Sequence, residues 1–333
     1  MKPFIAITMG DYNGIGPEIV LKSIITPAVR RACIPVLIGS LDVFEYYAQR
    51  LRLKISLNEV RPEYLTTNAK TFQVINAHPF EIPTIKPGKQ TVSAGKFAGD
   101  MLSFAIKLCT KNVFHGMVTA PVSKTTMVKA GFTFPGQTEM VASLSGKKKA
   151  TMMLIANNFR VGLATVHVPV KNISQHITRK LIADRLIAID NSLKYDFKIR
   201  KPRIAVLGLN PHAGEFGLLG QEELRIISPA IEQARRNHIV ADGPFPSDGF
   251  FGMHMHKKYD AILAMYHDQG LIPLKMSGFN IGVNYSAGLS VVRTSPDHGT
   301  AFSIAGKGIA NPGSMVEAIK LAATIIHNRR KRT

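Results

Sequence analysis

The chain has 333 residues, 45% of them hydrophobic and 19% charged, and 42 Lys and Arg against 22 Asp and Glu give a formal charge of +20. That length suggests two compact α/β halves or one large domain, and the composition excludes wholesale disorder. The longest apolar runs, such as Ile204 to Leu209, are too short to cross a bilayer. Cys33 and Cys109 are too few for a disulfide framework or a cysteine zinc site. The run Met1 to Met9 lacks the apolar core and cleavage site of a signal peptide, and a cytoplasmic protein is expected. The basic residues gather only at Lys147-Lys148-Lys149 and Arg329-Arg330-Lys331-Arg332, with no nucleic-acid motif beside them. The excess positive charge suits a small anionic substrate better.

Taken in chain order, short apolar strands alternate with helical patterns. Phe4 to Met9 reads as a strand, followed by the turn Gly10-Asp11-Tyr12-Asn13-Gly14-Ile15-Gly16-Pro17-Glu18 and an apolar helix from Ile19. Pro35 to Ile38 is a second strand, and Ser40 is placed to cap a helix over Leu41 to Arg50. The stretch Arg61 to Ser93 is the least regular. Gly95 to Cys109 reads as a helix and Met117 to Thr119 as a strand. Three further strands follow: Arg160 to Val166, Ile204 to Leu209 and Ala261 to Met265. Ser314 to Ile326 closes the chain as a helix. This alternation predicts an α/β fold with largely parallel sheets and helices on both faces. The expected division is 1–135 with 298–333 as one domain and 136–297 as the other.

Each of the last three strands is followed within a few residues by a histidine: His167, His212 and His267. Ligands gather beyond the carboxyl ends of strands in such sheets. Three imidazoles there would suit a divalent metal with open positions, although no short-spaced metal motif supports it. Asp268 is placed to orient His267 or to cap the next turn. Lys275, Asn284 and Arg293 come next, and the two cations suit a phosphate or carboxylate. Gly10, Gly14 and Gly16 are not spaced as a Rossmann fingerprint, but a helix start there can hold an anion. The glycine-rich run from Asp297 to Pro312 can mould itself around a cofactor or serve as a plain surface loop.

Ala305-Gly306-Lys307-Gly308-Ile309-Ala310-Asn311-Pro312 after His298-Gly299 resembles the NAD-binding loop of isopropylmalate and isocitrate dehydrogenases. Gly10-Asp11 with Gly14 to Glu18, Thr119 to Lys124, Thr138-Glu139, His167-Val168-Pro169, Leu209 to Glu215, Tyr266 to Gly270 and Arg293-Thr294-Ser295 occur in order. Together they resemble the 4-hydroxythreonine-4-phosphate dehydrogenase family of pyridoxal 5′-phosphate biosynthesis. The resemblance implies a two-domain isopropylmalate dehydrogenase-like fold with the active site in the interdomain cleft. It implies oxidation of a C3 hydroxyl with NAD or NADP, then decarboxylation to 3-amino-2-oxopropyl phosphate. It further implies a homodimer with shared sites and one divalent ion (zinc, magnesium or cobalt) held by His167, His212 and His267, with His267 reaching across from the other subunit. Gln137, Thr138, Lys275, Asn284 and Arg293 fall on the family's substrate-contacting positions. His298, Gly299, Gly306, Gly308 and Asn311 fall on the cofactor loop. Lys275, His212 and Asp248 are the catalytic candidates, Lys275 as proton handler or anion clamp. Two positions depart from the family pattern: Gln137 stands where His is usual, and Tyr12-Asn13 where Pro-Ala is usual. Gln137 can still donate a hydrogen bond but carries no charge. The alternatives are a phosphothreonate or phosphoerythronate dehydrogenase, or a basic polyanion-binding protein on an inactive scaffold.

Overall fold

The computed structural model describes residues 1–76, 84–146, 150–278 and 280–330. The Lys147-Lys148-Lys149 cluster, the tail beyond Arg330 and part of the Arg61 to Ser93 stretch lie outside them. By its contacts the chain divides into two units, Met1–Lys149 with Leu289–Lys331, and Ala150–Gly288.

The first unit begins with β1 (Phe4–Thr8), α1 (Gly16–Ile24), α2 (Pro27–Ala32), β2 (Ile34–Ile38) and α3 (Leu41–Arg50). It continues with β3 (Leu57–Glu59), β4 (Phe72–Ile75), α4 (Val92–Thr110), β5 (Gly116–Thr119), α5 (Lys124–Lys129) and α6 (Gln137–Leu144). The second unit holds β6 (Thr151–Ala156), β7 (Phe159–Leu163), α7 (Ile173–His176), α8 (Arg179–Tyr195), β8 (Arg203–Leu207) and α9 (Ser228–Arg236). It ends with β9 (Val240–Phe245), α10 (Ser247–Gly252), β10 (Ala261–Ala264), α11 (His267–Gly278) and β11 (Val283–Ala287). The chain then returns to the first unit with β12 (Arg293–Pro296) and α12 (Gly313–Arg330).

In the first unit β3, β4, β2, β1, β5 and β12 lie side by side, every pair parallel. Strands of such a sheet are covered on both faces, which is why β1 is an unbroken apolar run with Ile5, Ala6 and Ile7 fully buried. Thr26, Thr91 and Ser123 cap α2, α4 and α5 through their hydroxyls. Ser40 occupies the cap position of α3 as expected, but its hydroxyl makes no capping bond and is buried without a partner.

In the second unit the order is β11, β6, β7, β10, β8, β9. β11, β6 and β7 pair antiparallel, and β7, β10, β8 and β9 pair parallel. Its core is built by Leu154, Leu163, Leu207, Phe250, Ile262 and Leu274. β7 and β8 stop at Leu163 and Leu207, before the expected Val166 and Leu209, so longer loops carry His167 and His212.

Candidate active site

In the first unit, three segments meet around the first turn. Gly10 has φ +74°, and a Cβ there would lie 2.4 Å from the Pro121 carbonyl, so only glycine fits. Tyr12 and Asn13, the unusual pair, pin this turn. The Tyr12 carbonyl accepts from the Tyr47 hydroxyl at 2.8 Å. The Asn13 side chain donates to Thr91 Oγ1 at 3.1 Å and accepts from Lys86 N at 2.7 Å. Asp11 is fully buried; its Oδ1 accepts from Asn13 N and its Oδ2 has no partner. Burial pushes its carboxyl up to about 6, against the pull of the Asn13 and Gly14 backbone N–H groups.

The Asp297 to Pro312 run folds against this turn. Ile15 N donates to the Thr300 carbonyl, and a Cβ on Gly14 would lie 2.9 Å from that oxygen. Gly306 and Gly308 adopt φ +72° and +76°. Their carbonyls are held by Arg50 Nε at 2.6 Å and Lys22 Nζ at 2.8 Å. Lys22 also donates to the Ala310 carbonyl and to Glu18, whose Oε1 accepts from Ala310 N at 2.9 Å. Asn311 caps α12 by accepting from Gly313 N, and His298 is exposed, its ring bonded to the next carbonyl. Gly299 has open space where a Cβ would stand. A side-chain-poor surface of close-approach glycines fits a dinucleotide. Glu18, Lys22 and Arg50 hold this loop, and nothing local to the loop announces them.

Arg293, on β12, is almost fully buried. It donates to Thr119 Oγ1 through Nε and Nη2 at 3.1 and 2.7 Å, and to Thr138 Oγ1 through Nη1 at 3.1 Å. Burial lowers it to about 10, opposed by the nearby Glu139. The structure thus joins two of the predicted substrate residues, Thr138 and Arg293. Gln137 donates its amide to the Ala120 carbonyl at 3.3 Å and keeps Oε1 buried without a partner. It therefore offers a free acceptor, and its amide keeps a second N–H for the donor role expected of it.

In the second unit, His167 follows β7 and His267 opens α11 after β10, the adjacent parallel strand. Their ring centroids lie 6.2 Å apart. His267 Nδ1 donates to Asp268 Oδ1 at 2.7 Å, which fixes the tautomer and leaves Nε2 free for a metal. Two neighbouring imidazoles, one oriented by a carboxylate, fit a divalent ion as two of its ligands. Among the described residues no group of three or more His, Cys, Asp or Glu that could hold a metal ion comes together. Lys275 is half-buried on α11, Asn284 lies on β11 with Oδ1 buried and unpartnered, and Asp248 is exposed in the first turn of α10. Gln269, which the sequence reading left without a role, links three loops. It accepts from Met265 N and donates to the Gly208 carbonyl and to Ser247 Oγ.

His212 sits in an unusual turn. His212, Ala213, Gly214, Glu215 and Phe216 all have φ between +41° and +79°. Four are not glycine, at roughly 1–2 kcal/mol each. The turn wraps around Glu223, which is buried and opens a π-helical stretch, Glu223–Ile227. Its Oε1 accepts from Leu209 N and Asn210 N at 2.7 and 2.8 Å, and its Oε2 from Asn210 Nδ2 at 2.9 Å. Hydrogen bonds to a charged group contribute ~1.5–3 kcal/mol each, so three of them offset the strain.

The chain matches the family described as pyridoxal phosphate biosynthetic protein PdxA over residues 31–322. It is 42% identical to 4-hydroxythreonine-4-phosphate dehydrogenase of Bacteroides thetaiotaomicron, over 98% of this chain and 90% of that one. The crystal structure of 4-hydroxythreonine-4-phosphate dehydrogenase from Klebsiella pneumoniae superposes with a TM-score of 0.87 at 37% identity, covering 98% of each chain. A terephthalate 1,2-cis-dihydrodiol dehydrogenase from Burkholderia xenovorans is more distant, with a TM-score of 0.66 at 27% identity over 97% of this chain and 98% of that one.

Proposed function

The chain belongs to the PdxA family, and on that premise we propose that it oxidises 4-phosphohydroxy-L-threonine at C3 with NAD or NADP and releases 3-amino-2-oxopropyl phosphate after decarboxylation. The full-length likeness to dehydrogenases of that name carries this reading. When bound, the nicotinamide accepts hydride, and a divalent ion (zinc, magnesium or cobalt) supplies Lewis acidity for the oxidation and the loss of carbon dioxide. His167 and His267 hold the ion together with His212. Since His167 and His267 are neighbours in one chain, His212 rather than His267 is the ligand to seek on a second copy in a homodimer. Arg293, fixed by Thr119 and Thr138, binds the anionic substrate, and Lys275 holds an anion or moves a proton. Asn284 and Gln137 contribute the unpartnered acceptors Oδ1 and Oε1, which suit donor groups on the substrate. Asp248 is a candidate acid. Gly306, Gly308 and Asn311, with His298 and Gly299, receive the dinucleotide.

The test is NADH formation by the purified protein with 4-phosphohydroxy-L-threonine and a divalent ion, run beside 4-phosphothreonate and 4-phosphoerythronate. Preference for the amino acid is expected; preference for either sugar acid would replace this substrate. The shared site is checked by mixing His212→Ala with His267→Ala, each inactive alone. Mixed dimers should recover activity, because one of their two sites is whole.

A further inference from the structure

We propose that Glu223 is a positioning residue whose buried carboxylate holds the left-handed turn that presents His212. This rests on the reading of His212 as a metal ligand.

Five consecutive left-handed residues form no part of the ordinary backbone repertoire, and one glycine among them does not explain the other four. Something outside the turn must define it, and the contacts identify what. Glu223 takes both backbone N–H groups that lead into the turn, Leu209 and Asn210, on a single oxygen. Its other oxygen takes the Asn210 amide, which also reaches Glu222 Oε2 at 2.8 Å. The chain is moulded to the carboxylate: a Cβ on Gly214 would lie 2.6 Å from Glu223 Oε2. A Cβ on Gly208 would lie 2.9 Å from Ala213 Cα, and one on Gly220 would lie 2.3 Å from Asn210 Nδ2. No ion pair engages Glu223 among the described residues; the groups that meet its carboxylate are these N–H donors. Beyond the carboxylate, the turn itself is exposed at His212, Glu215 and Phe216, the last being 97% accessible. The turn closes on its own backbone bonds, Ala213 N to the Asn210 carbonyl and Leu219 N to the Gly214 carbonyl, and the carboxylate anchors the segment that leads into it. Glu223 opens a single-turn π segment, a form that recurs at functional sites.

The test uses Glu223→Gln, which keeps shape and removes charge. Its amide nitrogen would face the Asn210 amide donor, so the clamp opens on that side. Cobalt(II) is the probe, added to metal-stripped protein and followed by its visible spectrum and by competition with a chelator. A loss of about 10–100-fold in cobalt affinity is expected, with an altered spectrum, in protein that remains folded by circular dichroism. Gly214→Ala, which crowds the carboxylate from the other side, should give the same pair of changes. It serves as the second variant if Glu223→Gln folds poorly. A Glu223→Gln protein, or failing that a Gly214→Ala protein, that is folded and binds cobalt with wild-type affinity and spectrum overturns the proposal. His212→Ala separates the underlying reading: if its cobalt affinity is unchanged, His212 is not a ligand and both statements fall. If it loses cobalt while the clamp variants do not, the ligand assignment stands and the positioning role fails.

Discussion

Glu18 and Glu223 are both buried acids that accept backbone N–H groups from a functional loop, yet they work differently. Glu18 is paired with Lys22 at 2.7 Å, and the pair reaches Ala310, 292 residues away in sequence. The stretch it fastens, Gly306 to Ala310, places glycine where φ is positive, at Gly306 and Gly308, so little strain is stored there. Among the described residues Glu223 pairs with no cation; it reaches back only thirteen or fourteen residues, to the segment that leads into four non-glycine residues in a costly conformation. Where glycine relieves the backbone, a charge pair is enough to fasten a loop. Where the sequence keeps side chains on left-handed residues, a carboxylate surrounded by donors must enforce the shape.

Glu223→Ala should be the most damaging change, because it strands the Leu209 and Asn210 N–H groups, leaves the Asn210 amide to Glu222 alone and releases the strained turn together. A loss of about 3–4 kcal/mol in urea unfolding is expected. A loss near zero would mean that the turn does not depend on the carboxylate.

Lys22→Met tests the other half of the comparison. It leaves the Glu18 carboxylate buried with one N–H partner, and breaking a buried pair costs about 3–5 kcal/mol. The Lys22 side chain is 21% exposed, so about 2 kcal/mol is expected here. The KM for NAD should rise several-fold with kcat nearly kept. An equal fall in kcat would show that the pair does more than fasten the loop.

Asp11 sharpens the comparison as a third buried acid, with few donors and one free oxygen. Its folded value of about 6 lies above its ordinary 3.8, so the folded chain keeps the proton longer than the unfolded one. Stability conferred by the neutral form is full below 3.8 and is lost as pH rises to about 6, after which it is flat. Asp11→Asn should remove that fall. Its stability relative to wild type should improve by about 1–2 kcal/mol across the window, less than the shift alone implies, because the new amide group is also unpartnered. Denaturant midpoints at the two ends of the window measure it, and a constant difference would place the titration elsewhere.

The smallest effect is expected at Gln137. Its amide already donates to the Ala120 carbonyl, and Gln137→His exchanges the neutral acceptor Oε1 for a ring that can carry charge. A rise in kcat/KM of up to about tenfold for phosphohydroxythreonine is expected, at most ~1.4 kcal/mol, and larger in mildly acidic buffer. A fall at every pH, together with wild-type preference for phosphothreonate, would point to the sugar acid as substrate.

Much of this was legible in the sequence because it is local. α3 spans Leu41–Arg50 as its capping pattern predicts, and β1, β2, β5 and β10 follow their apolar runs. The histidines could be found because each follows such a run. The clamps could not be read. No rule of turn chemistry turns Pro211-His212-Ala213-Gly214-Glu215-Phe216 into a left-handed stretch, since only one of its residues favours that region. Its shape depends on an acid folded back from Glu223. Ser40 shows the same limit in reverse: a residue with every local qualification as a cap is buried and makes no capping bond.

The order in which the first unit is completed has a consequence for the growing chain. β5 receives its partner β12 only after the whole of the second unit has been synthesised, and α12, which packs on β5, follows later still. Until then β5 presents an unpaired edge of backbone N–H and C=O groups, the feature that recruits foreign strands. The second unit, continuous from Ala150 to Gly288, closes first, while the first waits for its last strand and helix. Chains stalled after Gly288 should therefore be cut by protease in the first unit while the second resists, and full-length release should bring both to equal protection.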